Sequence, residues 1–490
     1  MPLSSRTSVL REIKASLVLA GPVVASQLAQ MSMGFVDTLM VGRLGTASLA
    51  GVALGNTVFF TTLLICLGVV IAVGPMVSQA YGAGEEEPIS RSVRQGFWMA
   101  LMLTVPAFLF LWNAGALLRA VGQEPETVAL TERYLRAIVW GFLPALWFAA
   151  LRSLAEGLSK PWPVTIIAFC GIGLNVVANA AFMFGRWGFP ALGLEGTGWA
   201  STLVFWILFG ALALYVRFRP GFRRYPIFAR LGRPDPQYFR ELFRIGWPIG
   251  AAYGIEAGFF TMTALLVGLF GTTTLAAHHI AIQCASFTFM VPLGIGVAGS
   301  VRVGQAAGRG DADGVRRAGW VAIGLSVTAM LAAATLFWTV PRSVIGLYLD
   351  TADPANVDVI PLAATLLGVA AVFQVFDGVQ VAAAGALRGL KDTRVPMLIG
   401  FFSYWVVGLS GGYILGFVLG WGATGLWWGL VIGLAMAAML LSQRFRRRTR
   451  LLETTPVRQV KAEGTLSDVQ SSPHVARARA AKKQASPPTA

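Results

Sequence analysis

The sequence predicts an all-α polytopic membrane protein, twelve transmembrane helices in two six-helix parallel repeats with a central cavity. Three observations carry that expectation. The 490 residues are 56% hydrophobic and only 13% charged, too few charges to solvate an ordinary globular surface. Twelve apolar runs precede position 443, and each is long enough to cross a hydrocarbon core of about 30 Å, which takes roughly 20 residues. The second half of the chain also repeats the first.

The spans read as 15–40, 48–78, 95–118, 130–152, 164–184, 193–216, 243–269, 273–300, 316–338, 357–386, 395–416 and 421–442. Met1 to Lys14 is polar and runs directly into a full-length span, unlike a cleaved signal peptide with its short apolar core, so the first span reads as retained. The expected organisation is a cytoplasmic N-terminus at 1–14, an N-terminal lobe at 15–216, a basic cytoplasmic linker at 217–242, a C-terminal lobe at 243–442 and a basic, disordered cytoplasmic tail at 443–490.

The net charge of +16 reflects topology rather than nucleic acid. Up to the twelfth span, the N-terminus and every second loop hold 22 Lys and Arg, among them Arg6, Arg91, Arg94, Lys160, Arg223, Arg224, Arg316, Arg317, Lys391 and Arg394. The opposite loops hold six: Arg43, Arg119, Arg133, Arg136, Arg186 and Arg342. By the positive-inside rule both termini are cytoplasmic, which an even number of spans requires. The basic linker reads as an anionic-lipid contact. Arg outnumbers Lys 33 to 6, in keeping with a GC-rich bacterial genome and hence an inner-membrane protein.

The repeat is direct. Val41-Gly42-Arg43-Leu44-Gly45-Thr46-Ala47-Ser48-Leu49-Ala50 returns 226 residues later as Val267-Gly268-Leu269-Phe270-Gly271-Thr272-Thr273-Thr274-Leu275-Ala276, with six of ten positions identical. Gln79 to Gly84 answers Gln305 to Gly310, and Pro22 answers Pro248, at the same offset. Gly157-Leu158 answers Gly389-Leu390 at 232, and Thr197-Gly198 answers Thr424-Gly425 at 227. Six spans separate equivalent points, so the halves run parallel, and substrate sites in such folds lie near the midplane between them.

Of 23 acidic residues, only Asp37, Glu256 and Asp377 fall well inside the expected spans. A charge at a bilayer centre costs from about 3 to more than 10 kcal/mol, so it needs a partner or a task. Their repeat partners are Thr263, Gln30 and Ala145, so the charges are not inherited symmetry. Tyr253, Phe259 and Phe260 lie three or four residues from Glu256, and Phe373, Gln374 and Gln380 flank Asp377 similarly. Aromatic rings beside carboxylates suit a flat organic cation, although packing between helices explains any single ring equally well. Asn175 and Asn179, an i, i+4 pair, are either hydrogen bonds between helices or a polar cavity wall. Pro22 and Pro248 permit kinks that act as hinges or simply as shape.

Other chemistries lack their residues. No phosphate-loop sequence is present, Cys66, Cys170 and Cys284 are spaced as packing residues, and His278-His279 has no ligand series nearby. No enzyme, metal centre or cofactor is expected.

Taken together, Val36-Asp37-Thr38-Leu39-Met40-Val41-Gly42-Arg43-Leu44-Gly45, Gln79-Ala80-Tyr81-Gly82-Ala83-Gly84, Glu156-Gly157-Leu158, Tyr253-Gly254-Ile255-Glu256 and Asp377-Gly378-Val379-Gln380 resemble the multidrug and toxic compound extrusion (MATE) transporters, and within them the NorM-type branch. The likeness covers roughly residues 10 to 445. It implies a monomeric antiporter that expels small organic, often cationic, compounds in exchange for Na+ or H+. It further implies cation coupling at Glu256 and Asp377, protonation and drug binding at Asp37, and bending of the first helix at Pro22. Asn179 stands where another branch carries an aspartate, and Phe373 where a tyrosine is expected. The rival reading is a lipid-linked precursor flippase, whose cavity would carry cationic residues for pyrophosphate; no Lys or Arg is expected at a span centre here. A channel or scaffold is a weaker reading.

Overall fold

A computed structural model describes residues 3–229, 231–232, 234–350 and 353–454. The described chain is helical, and no strand occurs in it. The main helices are α1 (Leu3–Gly42), α2 (Thr46–Ala83), α3 (Glu86–Trp112), α4 (Pro125–Gly157), α5 (Trp162–Phe182), α6 (Leu194–Phe218), α7 (Pro236–Gly268), α8 (Thr272–Arg309), α9 (Ala312–Thr339), α10 (Val359–Gly389), α11 (Arg394–Val418) and α12 (Gly422–Thr454). Helices α2 to α12 are each long and apolar enough to cross a membrane, and the 40-residue α1 makes the twelfth. In α1 the apolar run is diluted by Gln27, Gln30 and Asp37, all of which line a cavity.

Most helices outrun the expected spans because turns of helix continue beyond the apolar stretch, whereas α3 stops at Trp112, short of 118. The largest differences are at the two ends of the chain, where α1 starts twelve residues before its expected span and α12 ends twelve beyond it. In the added turns of α12, Arg444 and Arg448 both pair with Asp392 at 2.8 Å in the α10–α11 turn. The expected disordered tail beyond 454 lies outside the described residues. The linker between α6 and α7 is docked: Phe222, Tyr225 and Ile227 are buried in the N-terminal core, and Trp98 of α3 donates to the Leu231 carbonyl at 2.9 Å.

Local geometry repeats with the sequence. The α1–α2 and α7–α8 turns each need a glycine, Gly45 and Gly271, both at φ 104°. The turns after α4 and α10 place Ser159 and Lys391, related by the same 232-residue offset, at φ 57°. One departure is confined to the second half: α11 contains π-helical stretches at Phe402–Leu409 and Ile414–Val418. Gly408, Gly412 and Gly416 there meet Gly425, Gly429 and Gly433 of α12, an approach at which a Cβ on Gly429 would overlap the Gly412 backbone.

The two lobes are joined by a seal at the end of the bundle that carries the basic loops. Gln79 of α2 donates to the Gly389 carbonyl across the interface at 2.8 Å, and its repeat partner Gln305 of α8 donates to the Gly157 carbonyl at 2.9 Å. The pair is reciprocal, one hydrogen bond in each direction. Gly82 and Gly308 make it possible, because a Cβ on either would overlap the carbonyl oxygen of Gln305 or Gln79 respectively. Arg302 adds a two-pronged pair with Glu12, at 2.8 Å on both oxygens. The lobe-to-lobe hydrogen bonds found among the described residues all lie at this end.

A Gln79→Ala, Gln305→Ala double variant leaves two buried carbonyls without their side-chain donors, at about 1–3 kcal/mol each. Distances between spin labels on the two lobes at the basic end are expected to gain a separated population; an unchanged distribution would show that other contacts hold the seal.

Candidate functional site

Between the lobes lies a cavity of about 650 Å³, closed at the basic end by this seal. Its wall is mostly apolar and aromatic, with Phe60, Phe148, Phe205, Phe260, Phe289 and Phe373 on it. Four carboxylates face it: Asp37 and Glu156 from the N-terminal lobe, Glu256 and Asp377 from the C-terminal lobe. The duplicated helices therefore bring together four acidic residues that lie up to 340 positions apart in the chain.

Each carboxylate has a different setting. Asp37 on α1 accepts from the side-chain amides of Asn175 at 3.0 Å and Asn179 at 2.6 Å, both on α5. Asn175 is both a hydrogen-bond partner and part of the cavity wall, whereas Asn179 is fully buried behind it. Glu156 is neutralised by Arg152 one turn earlier, at 2.7 Å. Asp377 is buried, and its Oδ1 has no hydrogen-bond partner among the described residues. Glu256 lines the main cavity and also a smaller one of about 50 Å³ behind it, which Gln380, Arg388, Asp392 and Tyr404 share. Gln380 Oε1 and the Tyr404 hydroxyl, both on that smaller cavity, are likewise unpartnered. Such orphaned polar groups cost about 1–3 kcal/mol each unless water or an ion reaches them. A volume of this size admits water. No cluster of three or more His, Cys, Asp or Glu with metal-holding geometry occurs among the described residues.

Several expected wall residues are placed elsewhere. Tyr253 and Phe260 share the cavity face of Glu256, but Phe259 lies off it, stacked on Tyr404 with centroids 5.3 Å apart and nearly parallel planes. On a helix of 3.6 residues per turn, position i+3 falls on the opposite flank from i+4, and that flank here meets α11. Gln374 also lies off the main cavity. It accepts from Thr288 at 2.9 Å and ties α10 to α8. Gln380 reaches only the smaller cavity. Phe373 does line the main one, and it packs edge-on against Trp427. Pro22 and Pro248 sit inside unbroken helices, and the Pro22 carbonyl accepts from Thr165 at 2.7 Å. His278 is a packing residue that accepts from the Trp427 indole at 3.1 Å.

The basic residues are the main correction. Although no span centre carries one, Arg152 and Arg388 reach the cavity floor from near the basic ends of α4 and α10. The cavity extends so deep that a residue near a span end still lines it. The repeat could have revealed this, since Arg388 occupies the position of Glu156 at the 232-residue offset.

A carboxylate-bearing cavity enclosed by two pseudo-equivalent lobes of membrane helices defines a membrane transporter. The comparisons agree on which kind. A family model described as MatE matches residues 22–181 and 248–414, and the chain belongs to that family. It is 43% identical to the probable multidrug resistance protein NorM of Mesorhizobium japonicum over 445 residues, 90% of this chain and 95% of that one. The protein of the same name from Pseudomonas putida is also 43% identical, over 91% and 97% of the two chains. Among solved structures, the eukaryotic MATE transporter AtDTX14 superposes with a TM-score of 0.81 at 20% identity, covering 91% of this chain and 98% of that one. An outward-facing multidrug resistance MATE transporter of the MOP superfamily gives 0.82 at 22%, covering 91% and 97%.

Replacing Asn179 by Ala removes the 2.6 Å donor from Asp37. A loss of about 1–3 kcal/mol is expected from a part-buried carboxyl acceptor, visible as a lower melting temperature in detergent; Asp37→Asn, Asn179→Ala should lose less than the sum of the single changes, because the two side chains are in contact.

Proposed function

We propose that the protein exports small organic, mainly cationic, compounds in exchange for Na+ or H+ across a bacterial inner membrane. The observation that carries this reading is the set of Asp37, Glu256 and Asp377 on one apolar, aromatic cavity, sealed at one end. The volume of about 650 Å³ falls within the range of about 300–1,000 Å³ for drug-sized ligands. Relatives named as probable multidrug resistance proteins support the substrate class. By the positive-inside rule the sealed end is cytoplasmic, so the structure faces outward.

Competition for the carboxylates supplies the mechanism. A cation or proton at Glu256 and Asp377 and an organic cation in the same cavity neutralise the same charges. Each therefore weakens the other, and the coupling is reciprocal. Export then follows if the coupling ion favours one facing of the lobes and drug the other. Moving the two facings from 1:99 to 99:1 takes about 5.5 kcal/mol of differential binding. Pro22 and Pro248 are the positions at which α1 and α7 would bend, the protein acts as a monomer, and its exposed apolar belt meets lipid. The flippase reading is not favoured: four carboxylates against two arginines leave the cavity acidic, which disfavours pyrophosphate.

In vesicles with separately imposed Na+ and H+ gradients, wild type is expected to move a fluorescent organic cation under one gradient. Glu256→Gln and Asp377→Asn should each lower that flux at least tenfold while remaining folded and inserted. Gradient-driven flux at wild-type rates in both variants would remove the coupling assignment.

A further inference from the structure

We propose that the seam between α7 and α11, at the basic end of the bundle, binds the headgroup of an anionic phospholipid, held by Arg244 and Arg394. The site faces lipid, outside the cavity between the lobes, and goes beyond the export reading.

Two contacts set the register of these helices. Lys391 pairs with Glu241 at 2.8 Å, and the Trp405 indole donates to the Ile255 carbonyl at 3.0 Å. Both join residues 150 positions apart, so the two helices run side by side in one direction and Arg244 lies level with Arg394. Helical periodicity places both on the same seam. Arg244 shares a face of α7 with Gly258, fourteen residues on, and Arg394 shares a face of α11 with Trp405, eleven residues on. Gly258 and Trp405 meet, since a Cβ on Gly258 would come within 2.9 Å of the indole. Both arginines are exposed, so at the basic end this seam opens outward.

The charges there do not balance. Arg240, one turn before Arg244, adds a third exposed guanidinium, and like charges four residues apart on a helix repel. The nearby acids already have their cations: Glu241 has Lys391, Asp392 has Arg444 and Arg448, and Asp235 has Arg91. Among the described residues no carboxylate lies within 4.0 Å of the guanidinium of Arg240, Arg244 or Arg394. Two guanidiniums at one level with their donors free match the oxygens of a phosphodiester. The apolar neighbours point to a lipid as its source. Phe243 and Trp247 flank Arg244, and Leu398 and Phe401 follow Arg394 toward the bilayer, all of them exposed. Tryptophan sits at the headgroup level of a membrane, and basic residues beside a spanning helix attract anionic headgroups. Below them the aromatic and aliphatic side chains face the acyl chains, which a free phosphate lacks.

Native mass spectrometry of the purified full-length protein measures the affinity for added phosphatidylglycerol and phosphatidylethanolamine. Wild type is expected to hold a phosphatidylglycerol about tenfold more tightly than phosphatidylethanolamine. Arg244→Gln, Arg394→Gln should weaken phosphatidylglycerol by about tenfold or more, and Arg244→Lys, Arg394→Lys should keep part of the affinity, as point charges without the fork. The control Arg446→Gln, Arg447→Gln removes two exposed arginines of α12 at the same end and should leave the tight site as it was. Unchanged phosphatidylglycerol affinity in the Arg244, Arg394 glutamine variant overturns the site. Equal weakening in the α12 control would show only a general attraction of charge, and equal affinity of wild type for the two lipids would show no headgroup selection; either overturns it as well. Inorganic phosphate in about tenfold excess over the lipid should leave the lipid bound, and displacement would assign the arginines to a free anion and overturn the lipid.

Discussion

The structure depends on one constraint: an ionised carboxylate taken out of water must be compensated, and in a bilayer the compensation comes from the protein or from what the protein carries. Asp37 is compensated by two amide donors on α5, and Glu156 by an arginine on its own helix. Asp377 keeps one oxygen without a partner. Of the four carboxylates on the main cavity, the two with side-chain hydrogen bonds from other residues are those of the N-terminal lobe. The incomplete compensation lies in the C-terminal lobe, at Asp377.

Duplication explains the frame, and divergence within it explains the function. The backbone is copied closely: Gly84 and Gly310 end their helices at φ 75° and 73°, and Gln79 and Gln305 form the same hydrogen bond in opposite directions. Each lobe supplies one donor and one acceptor to this pair. The charges were not copied. Gln30 stands opposite Glu256, Ala145 opposite Asp377, and Glu156 opposite Arg388. A cavity between identical lobes would present the same charges at equivalent positions of both walls; here each wall carries two carboxylates and one arginine, at positions that are not equivalent.

Much of this was legible beforehand. The twelve spans, the parallel repeat and the three acids within spans follow from hydropathy, spacing and composition, because the bilayer sorts residues by transfer free energy alone. Less legible was which neighbour of each acid shares its space. Phe259 and Phe260 are adjacent and alike, yet one packs on Tyr404 inside the lobe and the other lines the cavity. Helical spacing narrows a face to about a hundred degrees, and only the positions of α11 and α12 decide which edge of that face is covered.

The sequence by itself determined the class of protein, the number of membrane helices, the parallel halves and the identity of the acidic residues, since each of these is a property of one segment or of a comparison between segments. Tertiary structure alone decided that Asn175 and Asn179 hold Asp37, that Arg152 pairs with Glu156 while Arg388 lies against Tyr253 and across from Glu256, and that Gln79 and Gln305 close one end. Apart from the Arg152–Glu156 turn, these are contacts between helices far apart in the chain. Their geometry depends on how the helices cross, and hydropathy carries no record of that.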